Sequence, residues 1–284
     1  MHNYTIFEPR CEADNYGFSV WLASYLGLDA VPVSRRRLQH GWYWFPYSAG
    51  KHFTNFFYSM DNGILVQNDE YARGLCDDLR LAFATGLPFQ TYYNYSGVKG
   101  KHDGARKGVL FVPSRSYYSA DYGSAILESV KRFAEHVSEF SILLSFDDRD
   151  MAATLSAYSR SIEIGAGIGE INSFSRIAKT FESYETVVTT SMGSHVFYAD
   201  LCGAKVFIPY IEPYELKGTD LVHVIAGRMG DLYKSEFYSE KYLRERFPFL
   251  FSPHRASGSG LLQFDQKMSQ AHPRAVAHLL GWVT

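Results

Sequence analysis

The chain has 284 residues, enough for two modest domains or one large one. With 46% apolar and 20% charged residues it can bury a sizeable core, which excludes a disordered chain. A formal net charge of -2 and the lack of any Lys/Arg-rich run exclude nucleic acid as the main partner, while leaving room for a local basic cleft around a phosphorylated ligand. Aromatic content is 16%, which fits either sugar- or lipid-facing clefts or ordinary core packing.

Cys11, Cys76 and Cys202 show no metal-like spacing and read as reduced thiols of a cytoplasmic protein. The opening MHNYTIFEPR lacks a basic n-region and an apolar core, so no signal peptide is expected. No apolar run approaches the roughly 20 residues of a membrane span, and any membrane contact is expected to be peripheral, at the inner face.

In chain order, residues 5–7 read as a first strand and 8–15 as a polar turn. Phe18, Leu22, Tyr25 and Leu26 follow at helical spacing, with Gly27 where a helix-ending glycine belongs. Short strands are expected at 31–33 and 37–39 around Arg35, Arg36 and Arg37, and the aromatic stretch 40–46 (HGWYWFP) reads as a loop leaving a strand end. Residues 63–67 (GILVQ) form a buried-type strand. Asn68 or Asp69 then caps a helix with Tyr71, Leu75, Leu79 and Phe83 on its apolar face, closed by Gly86 and Pro88. Residues 87–93 read as a returning strand. The Gly/Lys/Asp-rich stretch 94–107 is the best linker signal, giving expected domains at 1–100 and 101–284, with the terminal helix free to pack back on the first.

Beyond the linker, strands are expected at 109–112, 142–146 and 162–164. An amphipathic helix carries Ile126, Val130, Phe133, Val137 and Phe140, and short helices follow at 151–158 and around 171–181. Residues 187–209 (VVTTSMGSHVFYADLCGAKVFIP) read as strand, tight turn, helix, glycine stop and strand. Residues 222–246 look mainly helical, 247–260 irregular, and 273–281 a terminal helix. Strands alternating with helices over short connections predict parallel sheets covered on both faces.

In such sheets ligands collect beyond the carboxyl ends of the strands. The Ser191-Met192-Gly193-Ser194 turn feeding a helix aims amides and hydroxyls at one spot, where the helix dipole also favours an anion. His195 can point at the same place or face water as an ordinary first-turn residue. Arg115, between Ser114 and Ser116, can meet a diphosphate as a planar fork or form a rim salt bridge. His40 fits a general base or a plain loop histidine. Gly165, Gly167 and Gly169 match the dinucleotide fingerprint only in part, leaving a nucleobase-contacting loop or a simple tight turn. The run Asp147-Asp148-Arg149-Asp150 reads as a solvated turn and helix cap, with no metal site expected.

Taken together, Leu38-Gln39-His40-Gly41-Trp42, Phe111-Val112-Pro113-Ser114-Arg115-Ser116, and Thr190 to His195 with Tyr198-Ala199 and Gly203 to Val206 resemble the motifs of bacterial capsule, lipopolysaccharide and teichoic-acid-type transferases. Those are glycosyltransferases of GT-B type. The resemblance implies an α/β fold of two Rossmann-like domains facing a cleft, the first of them short here. It also implies metal-independent transfer of a sugar from a nucleotide-activated donor, a substrate and not a cofactor, to a saccharide or lipid-linked acceptor in surface-polysaccharide synthesis. Ser114, Arg115, Ser116, Gly167, Ser191, Gly193, Ser194, His195 and Glu212 would lie on the donor side. His40, Glu12 or Asp14 would take the acceptor's proton. Lys205 stands where those transferases carry proline. The other readings are a nucleotide-sugar epimerase or polyol-phosphate transferase on the same fold, and a carbohydrate- or nucleotide-binding protein without catalysis.

Overall fold

The computed structural model describes residues 16–39, 41–48, 63–78, 80–100, 104–114, 122–167, 169–212, 236–253 and 269–283. Every described strand pairing is parallel and helices separate the strands, so the protein is α/β as expected. The chain divides into two compact units. One comprises Met1–Asp103, Ala166–Lys179 and Leu261–Thr284, the other Gly104–Gly165 and Thr180–Gly260. None of the described helices is long and apolar enough to cross a membrane.

The first unit holds a parallel sheet of β1 (Arg37–Leu38), β2 (Ile64–Val66) and β3 (Ala82–Ala84) in that order. Helix α1 (Phe18–Tyr25) buries Phe18, Leu22 and Ala23, and Gly27 ends it in the left-handed conformation. Helix α2 (Asp69–Asp77) starts where Asn68 Oδ1 accepts the Tyr71 amide at 3.0 Å. It stops well before Phe83, which instead sits in β3, paired with Leu65. Residues 88–95 are helix α3 (Pro88–Tyr95), not the expected strand. Leu87 is extended and Pro88 occupies the first helical turn, where its missing N–H costs nothing. Residues 31–33 form no strand.

The unit's core is an aromatic cluster centred on Phe174, whose ring lies 5.4 Å from Phe89, 5.6 Å from Tyr92 and 6.3 Å from Phe18. The terminal helix α9 (Pro273–Leu280) buries Val276, Ala277 and Leu280. Its last carbonyls find partners in the basic run. The Arg35 amide donates to Leu280 O at 2.9 Å, the Arg36 guanidinium donates to Leu279 O, and Trp282 Nε1 donates to Ser34 Oγ at 3.0 Å. Arg35 and Arg36 therefore close a helix C-terminus, where cations are favoured.

The second unit is built on five described strands: β4 (Lys107–Val112), β5 (Phe140–Leu144), β6 (Ser161–Ile164), β7 (Tyr184–Thr189) and β8 (Lys205–Phe207). Their order across the sheet is β6-β5-β4-β7-β8. Helix α4 (Tyr122–Ala134) follows β4. The expected apolar stripe overran it, because Phe140 belongs to β5. A 3-10 turn (Phe146–Met151) and the short α5 (Ala152–Leu155) connect β5 to β6, α6 (Ser173–Glu182), which belongs to the first unit as far as Lys179, precedes β7, α7 (Ser194–Leu201) joins β7 to β8, and α8 (Glu240–Arg246) follows later. Phe111, Ile126, Val130, Phe140, Ile142, Leu144, Leu155 and Val188 form the core on the α4 face, with Phe111 and Phe133 stacked at 4.3 Å. Each such buried side chain contributes about 1.5–3 kcal/mol relative to exposure.

Candidate functional site

The strand order of the second unit reverses between β4 and β7. From β4 the chain works outward through β5 to β6, then returns to β7 on the other side. At such a reversal the loops leaving neighbouring strands part to opposite faces and open a crevice at the carboxyl edge. The register pairs Val112 with Thr189, so Ser114 and Ser191 each stand two residues past one paired position. Sequence reasoning selected both residues, and the register brings their segments side by side. Arg115 and Ser116 lie outside the described residues, as do Glu12, Asp14 and His40.

The turn after β7 is well held. Thr189, fully buried at the strand end, accepts the Ser191 amide on Oγ1 at 3.3 Å. Its hydroxyl also lies 3.0 Å from His195 Nε2 and 3.4 Å from the Ser191 carbonyl. Met192 is buried beneath the turn. Gly193 is extended, a conformation open to any residue, yet a Cβ there would sit 2.7 Å from His195 Nδ1 and 2.9 Å from Cε1. Glycine is thus set by the imidazole folding back over the turn. Helix α7 starts at Ser194, its first bond running from the Val196 amide to Gly193 O at 3.1 Å. Ser191, Gly193, Ser194 and His195 therefore cluster at a helix N-terminus, where partial positive charge and N–H donors suit an anion.

Glu212 extends the edge, its amide donating to Thr190 O at 2.8 Å. Its carboxyl is engaged with the unit's own framework. Burial pushes it above the usual carboxylate range, while the Ser129 and Thr190 hydroxyls and the Arg132 guanidinium pull it partly back. Both hydroxyls are buried and neither closes a hydrogen bond of full geometry. Arg132 also lies 5.4 Å over the Tyr210 ring, and burial, then the Glu212 charge, push that phenol up.

The glycine turn after β6 is placed differently. β6 is the far edge strand, separated from β4 by β5. Gly167 groups with the first unit, and its backbone is already used: the amide donates to Glu170 Oε2 at 3.1 Å and the carbonyl accepts from Ser173 Oγ at 2.5 Å. Glu170 is buried and ion-paired with Arg176. Of the two sequence readings, this is the geometry of a tight turn leading into α6. Asp148 is buried, not solvated, within its 3-10 turn.

No protein-family model and no curated protein matches this chain. Among solved structures, a co-structure of S. aureus MnaA with UDP aligns at 13% identity and a TM-score of 0.41, covering 88% of this chain and 72% of the other. A UDP-GlcNAc 2-epimerase from Neisseria meningitidis bound to UDP-GlcNAc aligns at 12% identity and a TM-score of 0.34, with the same coverages.

The first unit contains a polar constellation that the sequence reading missed. At the carboxyl edge of β1 and β2, Gln39 and Gln67, each 1% exposed, interlock. Gln39 Nε2 donates to Gln67 Oε1 at 2.7 Å and to Gly41 O at 2.7 Å, and the Gln67 amide N–H donates to Gln39 Oε1 at 3.2 Å. Gln67 then holds Tyr43 by two bonds, accepting its N–H at 2.8 Å and donating Nε2 to its carbonyl at 3.1 Å. Further along, Tyr71 donates to Phe45 O at 2.7 Å, Tyr47 donates to Asp78 Oδ2 at 2.6 Å, and the Tyr47 amide donates to Glu70 Oε1 at 2.9 Å. Burial, then the Asp78 contact, push the Tyr47 phenol far above its usual value. Its ring covers Gly74, where a Cβ would sit 2.0 Å from it. The aromatic stretch is a loop, as expected, and a tightly pinned one. The available signal was a glutamine as the last residue of each of two strand readings, Gln39 in 37–39 and Gln67 in 63–67.

Proposed function

We propose that the chain is an enzyme acting on a nucleotide-activated sugar, with the diphosphate held at the carboxyl edge between β4 and β7. One observation supports this most: the Val112–Thr189 register sets the Ser114 segment beside the Ser191–His195 turn at the reversal of strand order, with a helix N-terminus behind. In this reading Ser191, Ser194, His195, Arg115 and the α7 amides donate to the diphosphate as charge builds on it during cleavage of the bond to the sugar. Transfer completes when the acceptor oxygen bonds the anomeric carbon and its proton passes to His40, Glu12 or Asp14. The leaving nucleotide keeps the bonding electrons.

The second reading is isomerisation of the sugar on the same site, the reaction in the name of the Neisseria enzyme. The two need different inputs. Nucleoside di- and monophosphates at millimolar concentration should raise the melting temperature, since a ligand at 100 times its Kd adds about 2.7 kcal/mol. No shift with any of them removes the nucleotide site. UDP-GlcNAc incubated alone, followed by NMR, then separates the reactions: conversion without acceptor means isomerisation, and nucleotide release that requires an added saccharide means transfer. Shifted melting with no chemistry under either condition identifies a binding protein.

A further inference from the structure

We infer that the nucleotide site is coupled to a proton through Glu212: this carboxyl is held against the residue that leads into the diphosphate turn, and the charge of a bound diphosphate draws a proton onto it. This rests on the nucleotide site proposed above. The segment that carries Glu212 is tied down along its length. The Ile208 amide donates to Leu250 O at 2.7 Å, and Pro209 O accepts from Arg244 Nη2 at 3.0 Å. The Ile211 amide donates to Glu240 Oε2 at 3.0 Å, and the Glu212 amide to Thr190 O at 2.8 Å. Thr190 directly precedes Ser191, and its hydroxyl also meets the carboxyl. Glu212 thus grips Thr190 by main chain and side chain, and it stays beside the turn when an anion arrives.

The surrounding charges leave that anion poorly balanced. Helix α4 brings the Ser129 hydroxyl and the Arg132 guanidinium, the one cation among the described residues that acts on this carboxyl. Helix α8 brings Glu240 and Arg244, which pair with each other at 2.7 Å. Tyr210 lies in the same segment, and the turn itself carries His195. Burial is the largest influence on Glu212 and already disfavours its charged form. The same burial keeps out the water and salt that would screen a new neighbour, and a like charge nearby raises proton affinity further. Affinity for the diphosphate is therefore highest below the free-state titration of Glu212 and falls as pH rises through its titration in the complex. A carboxylate that accepted hydroxyl donors from the nucleotide would reverse this slope.

Calorimetry of the full-length chain with UDP, CDP, GDP and ADP identifies the tightest of the four. Repeating that titration in buffers of different ionisation enthalpy, from pH 5 to pH 8, counts the protons exchanged on binding. The nucleotide's own phosphate titrates alike in every variant, so subtracting the Glu212→Gln count isolates Glu212. The difference should be uptake, reaching about half a proton for a one-unit shift. Glu212→Gln, neutral throughout, should match the wild type near pH 5 and bind up to about tenfold tighter at pH 8. Arg132→Gln, which removes the cation facing the carboxyl, should move the uptake to higher pH. Equal counts in the wild type and Glu212→Gln overturn the inference, and so does proton release in place of uptake. An uptake curve that Arg132→Gln leaves in place overturns it independently. Uptake that survives Glu212→Gln and vanishes in His195→Gln belongs to the imidazole and overturns it too. A wild type that binds none of the four nucleotides removes the nucleotide site and this coupling with it, whereas binding without the proton difference removes the coupling alone.

Discussion

Gln67→Leu tests whether the interlocked glutamines hold the first unit together. Leucine keeps the bulk and removes three hydrogen bonds: from Gln39 Nε2 at 2.7 Å, from the Tyr43 amide at 2.8 Å, and to the Tyr43 carbonyl at 3.1 Å. The bond from the Gln67 main chain to Gln39 Oε1 at 3.2 Å survives, and Gln39 Nε2 keeps Gly41 O. Each lost bond is worth about 1 kcal/mol net, and a stranded buried donor costs about 1–3 kcal/mol. Tyr43 is only half-buried, so water recovers part of its loss. The expected destabilisation is about 2–4 kcal/mol. Urea unfolding followed by tryptophan fluorescence should show a midpoint lowered by about 1 M, at an m-value of roughly 2–3 kcal/mol/M. A change within about 0.5 kcal/mol would refute the claim that these amides carry structural weight.

Gly74→Ala places a methyl 2.0 Å from the Tyr47 ring. Helix propensity alone would favour alanine by about 1 kcal/mol, so a net loss of roughly 1–2 kcal/mol in thermal unfolding would show that the ring is pinned; a gain would show that it swings away freely. Two carboxylates should give opposite pH slopes. Burial raises Glu212, so its folded state binds protons more tightly than the unfolded chain, and its contribution declines as pH rises from the unfolded value through the folded one. Glu212→Gln should therefore gain in melting temperature over the wild type at pH 7, with the gap closing near pH 4. For Glu240, burial raises the pKa but the Ile211 amide and Arg244 outweigh it, leaving a net lowering. Its contribution is present above the unfolded pKa and lost as pH falls through the folded one. Glu240→Gln should cost stability at pH 7 and nothing in acid. Parallel slopes for the two variants would contradict both assignments.

Much of the second unit could be read directly. Apolar runs at 109–112, 142–146, 162–164, 187–190 and 206–208 meet the five described parallel strands, and Ser191 to His195 meet a helix start. Long apolar periods dictate their own element because burial on both faces leaves one solution. The first unit was harder for the opposite reason. β1 and β3 have two and three residues, too few for any periodicity, so Phe83 reads as the next turn of α2 when it is a partner of Leu65. Thr91, Tyr92 and Tyr93 favour strands by propensity, and only Pro88 at the first turn marks the helix. Gln39 and Gln67 carried no motif, because their meeting depends on a register fixed far along the chain. Glu212 was read from its place after a strand, whereas the contacts of its carboxyl follow from α4, some eighty positions earlier.

Arg35, Arg36 and Ser34 close on the last turn of α9, and Phe174 enters the ring cluster of the same unit from the middle of the chain. Of the two units, the one whose residues come earlier in the chain is consequently the later to be completed. Its opening hundred residues leave the ribosome with two pieces of their core still untranslated, while Gly104–Gly260 contains the whole of the second unit and can settle first. Until residues 273–280 emerge, the faces meant for Val276, Ala277 and Leu280 stay open to chaperones or to other nascent chains. A truncation that removes α9 therefore acts on Ser34, Arg35 and Arg36, about 240 positions earlier, through the order of assembly.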